Sequence, residues 1–186
     1  GVLEADDPTI AVIEKTISSD AHAWLWVGAE IDGANNKVRI LHNLAARATG
    51  EIFVITDADT RADANFLKRI VAPFADDRVG VVTCMYRGVN AAAWADALEG
   101  LHMTVVFAPG VACAEALGGI DFGLGAAIAI RRSALDAIGG FASIADYLAD
   151  DFQLGRKSAE AGWKVVLSDY VIDIILSGES IRGVLA

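Results

Sequence analysis

Asp57 and Asp59 stand one residue apart at the end of an apolar run, Ile52-Phe53-Val54-Ile55-Thr56, and form the strongest chemical signal in the chain. A short run rich in β-branched and aromatic residues reads as a buried strand. In an α/β sheet the carboxyl ends of the strands open onto the ligand crevice, so both carboxylates are directed at a shared point. Two such groups suit Mg²⁺ or Mn²⁺, hard cations commonly held by one or two carboxylates together with substrate phosphates. A phosphate-bearing ligand is therefore the first expectation. The alternative without chemistry is a strand followed by an Asp-rich turn.

Three other places could carry chemistry. Asp150-Asp151 falls at or just inside the start of the last long helix, where the helix dipole favours negative charge by about 0.3–1 kcal/mol. Such a pair needs no function, yet a carboxylate aimed into a crevice can serve as a general base. Gly118-Gly119 and Gly123-x-Gly125-Ala126 mark a loop where backbone approaches a ligand or a neighbouring strand closely. Asn36-Lys37 precedes a helix and either brings an ammonium to phosphate or leaves it solvated.

The elements that position these residues alternate between apolar runs and helical periods, the pattern of an α/β fold with a mostly parallel central sheet. Strands are expected at 2–4, 23–27, 52–56 and 79–84, from a Gly-rich loop within 122–130, and at 164–167 and 171–175. Helices are expected from Asp6-Asp7-Pro8 onward, with Asp at the cap and Pro at the first position. Further helices are expected over 37–48, after Asp63, over 91–117 in two pieces broken at Pro109, over 133–138 and over 147–161. No repeat or linker interrupts the chain, which reads as one domain over 1–186.

Composition narrows the partners. The 186 residues carry a formal charge of −10, and the pI is near 4.6, so a polyanion such as nucleic acid would be repelled. Cys84 and Cys113 sit in no metal-ligand spacing and suggest core or near-core thiols in a reducing compartment. No run reaches the roughly 18 unbroken apolar residues of a spanning helix. The opening Gly1-Val2-Leu3, without an initiator Met, suggests a piece of a longer protein.

Several short motifs occur in an order that resembles a known group. They are Ala5-Asp6-Asp7-Pro8, Asn36-Lys37-Val38, Ile55-Thr56-Asp57-Ala58-Asp59, Gly125-Ala126 followed by Arg131-Arg132, Gly139-Gly140-Phe141, Asp146-Tyr147-Leu148-Ala149-Asp150-Asp151 and Ala161-Gly162-Trp163. This order resembles that of processive-type inverting glycosyltransferases of the GT-A fold, in particular the ceramide glucosyltransferase branch and its bacterial relatives that glycosylate hopanoid lipids. Val82-Thr83-Cys84-Met85-Tyr86-Arg87-Gly88 is similar to the hopanoid branch.

The resemblance implies a UDP-sugar donor, a membrane lipid acceptor, and a GT-A αβα sandwich truncated at both ends. It assigns Asp7, rather than Asp6, to the uracil and ribose, and Lys37 to the diphosphate. Asp57 would contact the nucleotide-sugar. Asp59, aided by Asp57, would bind Mg²⁺ or Mn²⁺. Asp151 would be the catalytic base, with Asp150, Gly125 and Ala126 lining the substrate site. The branch's first strand would precede Gly1, and its Gln/Arg-x-x-Arg-Trp element would follow Ala186. The piece is therefore expected to be weakly active or inactive. The full-length protein is expected to be membrane-associated at the cytoplasmic face, through parts outside this chain.

One departure lies at Arg39-Ile40, where relatives commonly have Asn shortly after the Lys; it bears on the sugar or phosphate pocket. The apolar stretch around 103–111 reads either as a surface against the membrane or as a buried helix pair. Two other function classes stay open. Asp57-Ala58-Asp59-Thr60 also satisfies the D-x-D-x-T pattern of haloacid-dehalogenase-like phosphatases, with Asp57 as nucleophile, and a nucleotide-binding domain without turnover would keep the same residues.

Overall fold

The computed structural model describes residues 1–176. Seven α-helices lie in this span: α1 (Thr9–Ile17), α2 (Asn36–Arg47), α3 (Phe66–Val71), α4 (Trp94–His102), α5 (Ala108–Gly118), α6 (Arg132–Ala137) and α7 (Asp150–Glu160). The strands are β1 (Ile52–Thr56), β2 (Thr60–Arg61), β3 (Val79–Val89), β4 (Ala127–Arg131) and β5 (Lys164–Ile175), in the spatial order β1-β4-β3-β5-β2. The expected one-domain span 1–186 runs past the described residues.

The fold is α/β as expected, but its sheet is mixed where a mostly parallel one was expected. Of the paired neighbours only β3 and β5 run parallel; β1–β4, β3–β4 and β2–β5 are antiparallel. Because β4 opposes both β1 and β3, those two strands and β5 share one direction, as the alternation of strands and helices implies. The reversal has a local cause. Ala127 at the start of β4 pairs with Thr56, the last residue of β1, and Ile128 with Thr83, midway along the longer β3, so the chain enters β4 at the carboxyl end of β1. The long helical segment after β3 therefore returns the chain to the carboxyl end of β1, from which β4 runs antiparallel to both neighbours.

Alternation along the strands builds a core on each face. Val81, Ile128 and Ile130 point to one side and pack with Val38, Leu135, Ile144 and Leu154. Val82, Cys84, Ala127 and Ala129 point to the other and pack with Phe66, Ile70, Phe74 and Ile172. These two layers cover the sheet with α2, α6 and α7 on one face and α3 on the other, and α4 also packs against β3.

Several elements differ from the sequence reading. The strands expected at 2–4 and 23–27 reduce to a single parallel bridge, Val2 to Val27. A cleft of 350 Å³, lined by Gly1, Trp24, Leu44 and Phe53 among others, lies beside β1. The segments 164–167 and 171–175 form one strand, irregular where Thr83–Met85 faces Leu167–Val171. Pro109 does not break its helix. A π-helical stretch, Met103–Phe107, precedes it, and Ala108 N–H reaches back to Met103 O, so the wider turn absorbs the proline and Trp94–Gly118 is helical throughout. At 25 residues it is the one described helix long and apolar enough to cross a membrane. Met103 and Val111 are buried while Val105 and Val106 are exposed, so the stretch is not a buried pair.

Candidate active site

Lys37, Asp57 and Asp150 meet at the carboxyl end of β1. Asp57 follows β1, and its N–H donates to Ala126 O at 3.2 Å, fixing it against the loop that enters β4. Its carbonyl accepts from the Thr60 hydroxyl at 2.7 Å, which closes the turn carrying Asp59. Lys37 lies in the first turn of α2. Its Nζ stands 2.7 Å from Asp57 Oδ1 and 3.6 Å from Asp150 Oδ2. Burial opposes the Lys37 charge, but the Asp57 hydrogen bond and the attraction of Asp150, Asp57 and Asp151 outweigh it and raise its pKa.

The adjacent acids of α7 diverge. Helix α7 starts at Asp150 rather than near Tyr147, because the preceding segment is drawn onto the start of α2: Asn35 Nδ2 donates to Tyr147 O at 2.8 Å. Asp150 turns toward Lys37. Asp151 turns toward the glycine-rich loop, its Oδ2 only 3.0 Å from where a Cβ on Gly125 would stand. Burial is the main cause of a raised Asp151 pKa; its own helix-start amides and Lys37 pull the other way. The loop is held by Thr83, buried in β3, whose hydroxyl donates to Leu124 O at 3.0 Å and accepts from Leu124 N at 2.8 Å. Nearby, burial raises the Tyr86 hydroxyl pKa, and the charges of Asp151 and Glu99 raise it further. The Tyr86 ring stacks on Phe107 with centroids 4.6 Å apart.

A cleft of 470 Å³ opens beside this cluster, lined by Lys37, Thr56, Asp57 and Ala58 and by apolar Ile13 and Ile40. Asp7 is not among its lining residues. Its Oδ1 accepts from the Thr9 N–H at 2.8 Å and the Thr9 hydroxyl at 2.6 Å, which anchors the start of α1 and lowers its pKa. Asp59 is exposed, and among the described residues its carboxylate makes no hydrogen bond or ion pair. No group of three or more His, Cys, Asp or Glu among the described residues is clustered to hold a metal. Asp59, with an unengaged carboxylate in the turn that begins at Asp57, suits a hard cation whose shell is completed by phosphate oxygens.

The structure thus gathers Lys37, Asp57, Asp150, Asp151, Gly125 and Ala126 at one end of the sheet, with Asp59 on the adjoining turn. Sequence reasoning missed Asn35, Thr83 and Tyr86. Asn35 directly precedes the noted Asn36-Lys37 pair, and Thr83 and Tyr86 lie in the noted 82–88 motif, but only tertiary contacts reveal what they hold. Arg39 braces the loop before α2, its Nε donating to Ile31 O at 3.0 Å and its Nη1 to Asn36 Oδ1 at 3.1 Å.

Solved proteins share this arrangement of elements. The mannosyltransferase of Pyrobaculum calidifontis, determined with GDP-Man and Mn²⁺, is 27% identical with a TM-score of 0.65, covering 98% of this chain and 48% of its own. Glucosyl-3-phosphoglycerate synthase from Mycobacterium tuberculosis, determined with Mg²⁺ and UDP, has a TM-score of 0.54 at 16% identity, covering 98% of this chain and 60% of its own. The chain thus spans about half the length of the mannosyltransferase, and its fold is that of GT-A glycosyltransferases. Neither relative is a phosphatase of the haloacid-dehalogenase type. The profile of Glycosyl transferase family 21 matches residues 1–186, the whole chain, which belongs to that family.

Proposed function

We propose that this chain carries the donor and base side of an inverting hexosyltransferase that moves a sugar from a UDP-sugar to the hydroxyl of a membrane lipid. The observation that carries the reading is the convergence of Lys37, Asp57 and Asp150 at the carboxyl end of β1, with Asp151, the next residue of the same helix start, against Gly125. Family membership supports transfer of a hexosyl unit, and the relatives determined with GDP-Man or UDP support a nucleotide donor. UDP rather than GDP, and a ceramide-like or hopanoid acceptor, rest on the motif resemblance to the ceramide glucosyltransferase branch. On the same basis the protein acts at the cytoplasmic face of a membrane.

In this reading the cleft beside Lys37 takes the diphosphate, and Asp57 and Asp59 would hold Mg²⁺ or Mn²⁺. The metal, when bound, neutralises charge on the departing diphosphate. Lys37 adds a second positive charge at the same place. Asp151 accepts the proton of the acceptor hydroxyl. The hydroxyl oxygen bonds to the anomeric carbon as the carbon–oxygen bond to the diphosphate breaks, and UDP leaves with the electron pair. One displacement inverts the anomeric carbon and requires one base. Asp7 contributes to nucleoside contacts through the oxygen not engaged by Thr9.

Calorimetric titration of UDP into the full-length protein, with and without Mn²⁺, tests the reading. Metal-dependent binding that is lost in Asp59→Ala is the expected result. A protein that binds no UDP in either condition would sink the donor assignment.

A further inference from the structure

Asn35 joins two elements that each carry a site residue. Its Oδ1 accepts from Val38 N at 3.2 Å and caps α2, while its Nδ2 donates to Tyr147 O at 2.8 Å and to Asp150 Oδ1 at 3.2 Å. The surrounding backbone repeats the tie. Asn35 N donates to Ala145 O at 2.8 Å, and Ala34 N to Asp146 Oδ1 at 3.1 Å. A Cβ on Gly33 would stand 2.7 Å from the Ala145 Cβ, so the two loops meet at close quarters.

Capping alone does not call for an amide. Ser, Thr and Asp supply the accepting oxygen equally well. They cannot supply the two donated bonds across to the 147–150 segment. Those bonds determine where Asp150 goes: Oδ1 is held by Asn35, and Oδ2 faces Lys37 at 3.6 Å, a separation longer than a hydrogen bond. With Oδ1 released, Asp150 is free to close on Lys37 and draw the ammonium from Asp57, where it stands at 2.7 Å. Asp151 is the next residue of the same helix turn, so its approach to Gly125 depends on the same anchor.

We propose that Asn35 is a positioning residue of the transfer site. It restrains Asp150 so that Lys37 stays on the diphosphate side against Asp57 while Asp151 faces the glycine loop. The inference rests on the donor-site reading above and adds a residue that touches neither substrate nor metal in it.

A double-mutant cycle in the full-length protein tests it, using Asn35→Asp, Asp150→Asn and the two combined, with UDP affinity in Mn²⁺ and the thermal midpoint as readouts. Asn35→Asp keeps the cap oxygen but sets carboxylate against carboxylate. Affinity is expected to fall about tenfold, with the midpoint within a few degrees of wild type. In the combined variant the introduced amide at position 150 can donate to the introduced carboxylate at position 35. It is expected to bind about fivefold or more tighter than the product of the two single losses.

Independent losses, or an affinity unchanged in Asn35→Asp, overturn the proposal. A lowered midpoint with unchanged affinity also overturns it, since the role would then be capping only. Should Asn35→Asp fail to fold, Asn35→Ser retains a cap oxygen, and its single, shorter O–H cannot replace both amide bonds to Tyr147 O and Asp150 Oδ1. Weakened UDP binding in that variant supports the proposal, and wild-type binding overturns it. A wild-type protein that binds no UDP with Mn²⁺ defeats the donor reading and this inference with it, a result distinct from independent losses in a protein that binds.

Discussion

Asp151 and Gly125 are in such close contact that a methyl group on the glycine would lie 3.0 Å from Asp151 Oδ2 and 3.5 Å from its Cγ. Those atoms are the far end of a side chain that can turn away, so the fold tolerates Gly125→Ala while the carboxylate moves. A misplacement near 1 Å can cost about 100-fold in rate. Gly125→Ala is expected to lower sugar transfer between about tenfold and 100-fold while UDP affinity stays within about twofold. Steady-state kinetics beside calorimetry separate the two. Equal loss of both would place Gly125 in the donor pocket instead of beside the base.

Lys37 and Asp57 are each about one-third exposed, with side-chain values of 35% and 36%. Solvent screening limits the stability such a pair contributes to about 1 kcal/mol or less. Lys37→Ala is therefore expected to shift the thermal midpoint by a few degrees at most. Its effect on ligand binding is larger, because the cleft then presents Asp57 and Asp150 to a diphosphate without a cation between them. UDP affinity in Mn²⁺ should fall about tenfold or more, which corresponds to about 1.4 kcal/mol. Unchanged affinity would remove Lys37 from the diphosphate site.

Much of this site was legible from sequence because its residues sit at ends of elements, where local patterning is strongest. The apolar run before Asp57 fixed β1, and the acidic pair fell at a helix start because charge and dipole favour it there. What was not legible depends on tertiary placement. The reversal of β4 follows from where the loop delivers the chain, which no periodicity in Ala127–Arg131 encodes. The Arg131-Arg132 pair, one of the motifs that carry the resemblance, holds the scaffold. Arg131 donates to Val79 O and Phe74 O, and Arg132 to Ala48 O and Gly50 O. Asp7 was expected among the nucleotide contacts, and its described partner is Thr9 of its own helix.

Gly155 shows how tightly α7 is set against the glycine loop. A Cβ there would fall 2.2 Å from Gly123 N and 2.4 Å from Phe122 C, and one on Gly123 would fall 2.4 Å from Asp151 O. All three are backbone atoms, so no rotamer relieves the clash and the helix must move. Overpacking costs about 1–3 kcal/mol, and Gly155→Ala is expected at the upper end of that range. It should lower both the unfolding midpoint in urea and the transfer rate, since the displaced helix carries Asp150 and Asp151. A variant as stable as wild type would show that α7 and the loop separate without cost.

Asp151 links activity to stability with opposite signs. Burial raises its pKa above the ordinary 3.8, against the pull of the Phe152 amide and of Lys37, and Asp150 adds repulsion. In the unfolded chain the group titrates near its ordinary value. Between those two values the folded protein binds more protons than the unfolded one, so stability falls as pH rises through the window and stays reduced above it. At pH 7 the ionised carboxylate therefore lowers stability, and Asp151→Asn should raise the thermal midpoint there. The difference should vanish below the unfolded pKa, where both states are protonated. Activity runs the other way. A base must be ionised, so transfer should fall on the acid side with an apparent pKa above 3.8, and Asp151→Asn should abolish it across the range. A pH series of thermal melts beside a pH–rate profile measures both. A midpoint at pH 7 below that of wild type would mean that Asp151 gains more from its amide and Lys37 than it loses by burial, and the acid limb would then lie below 3.8.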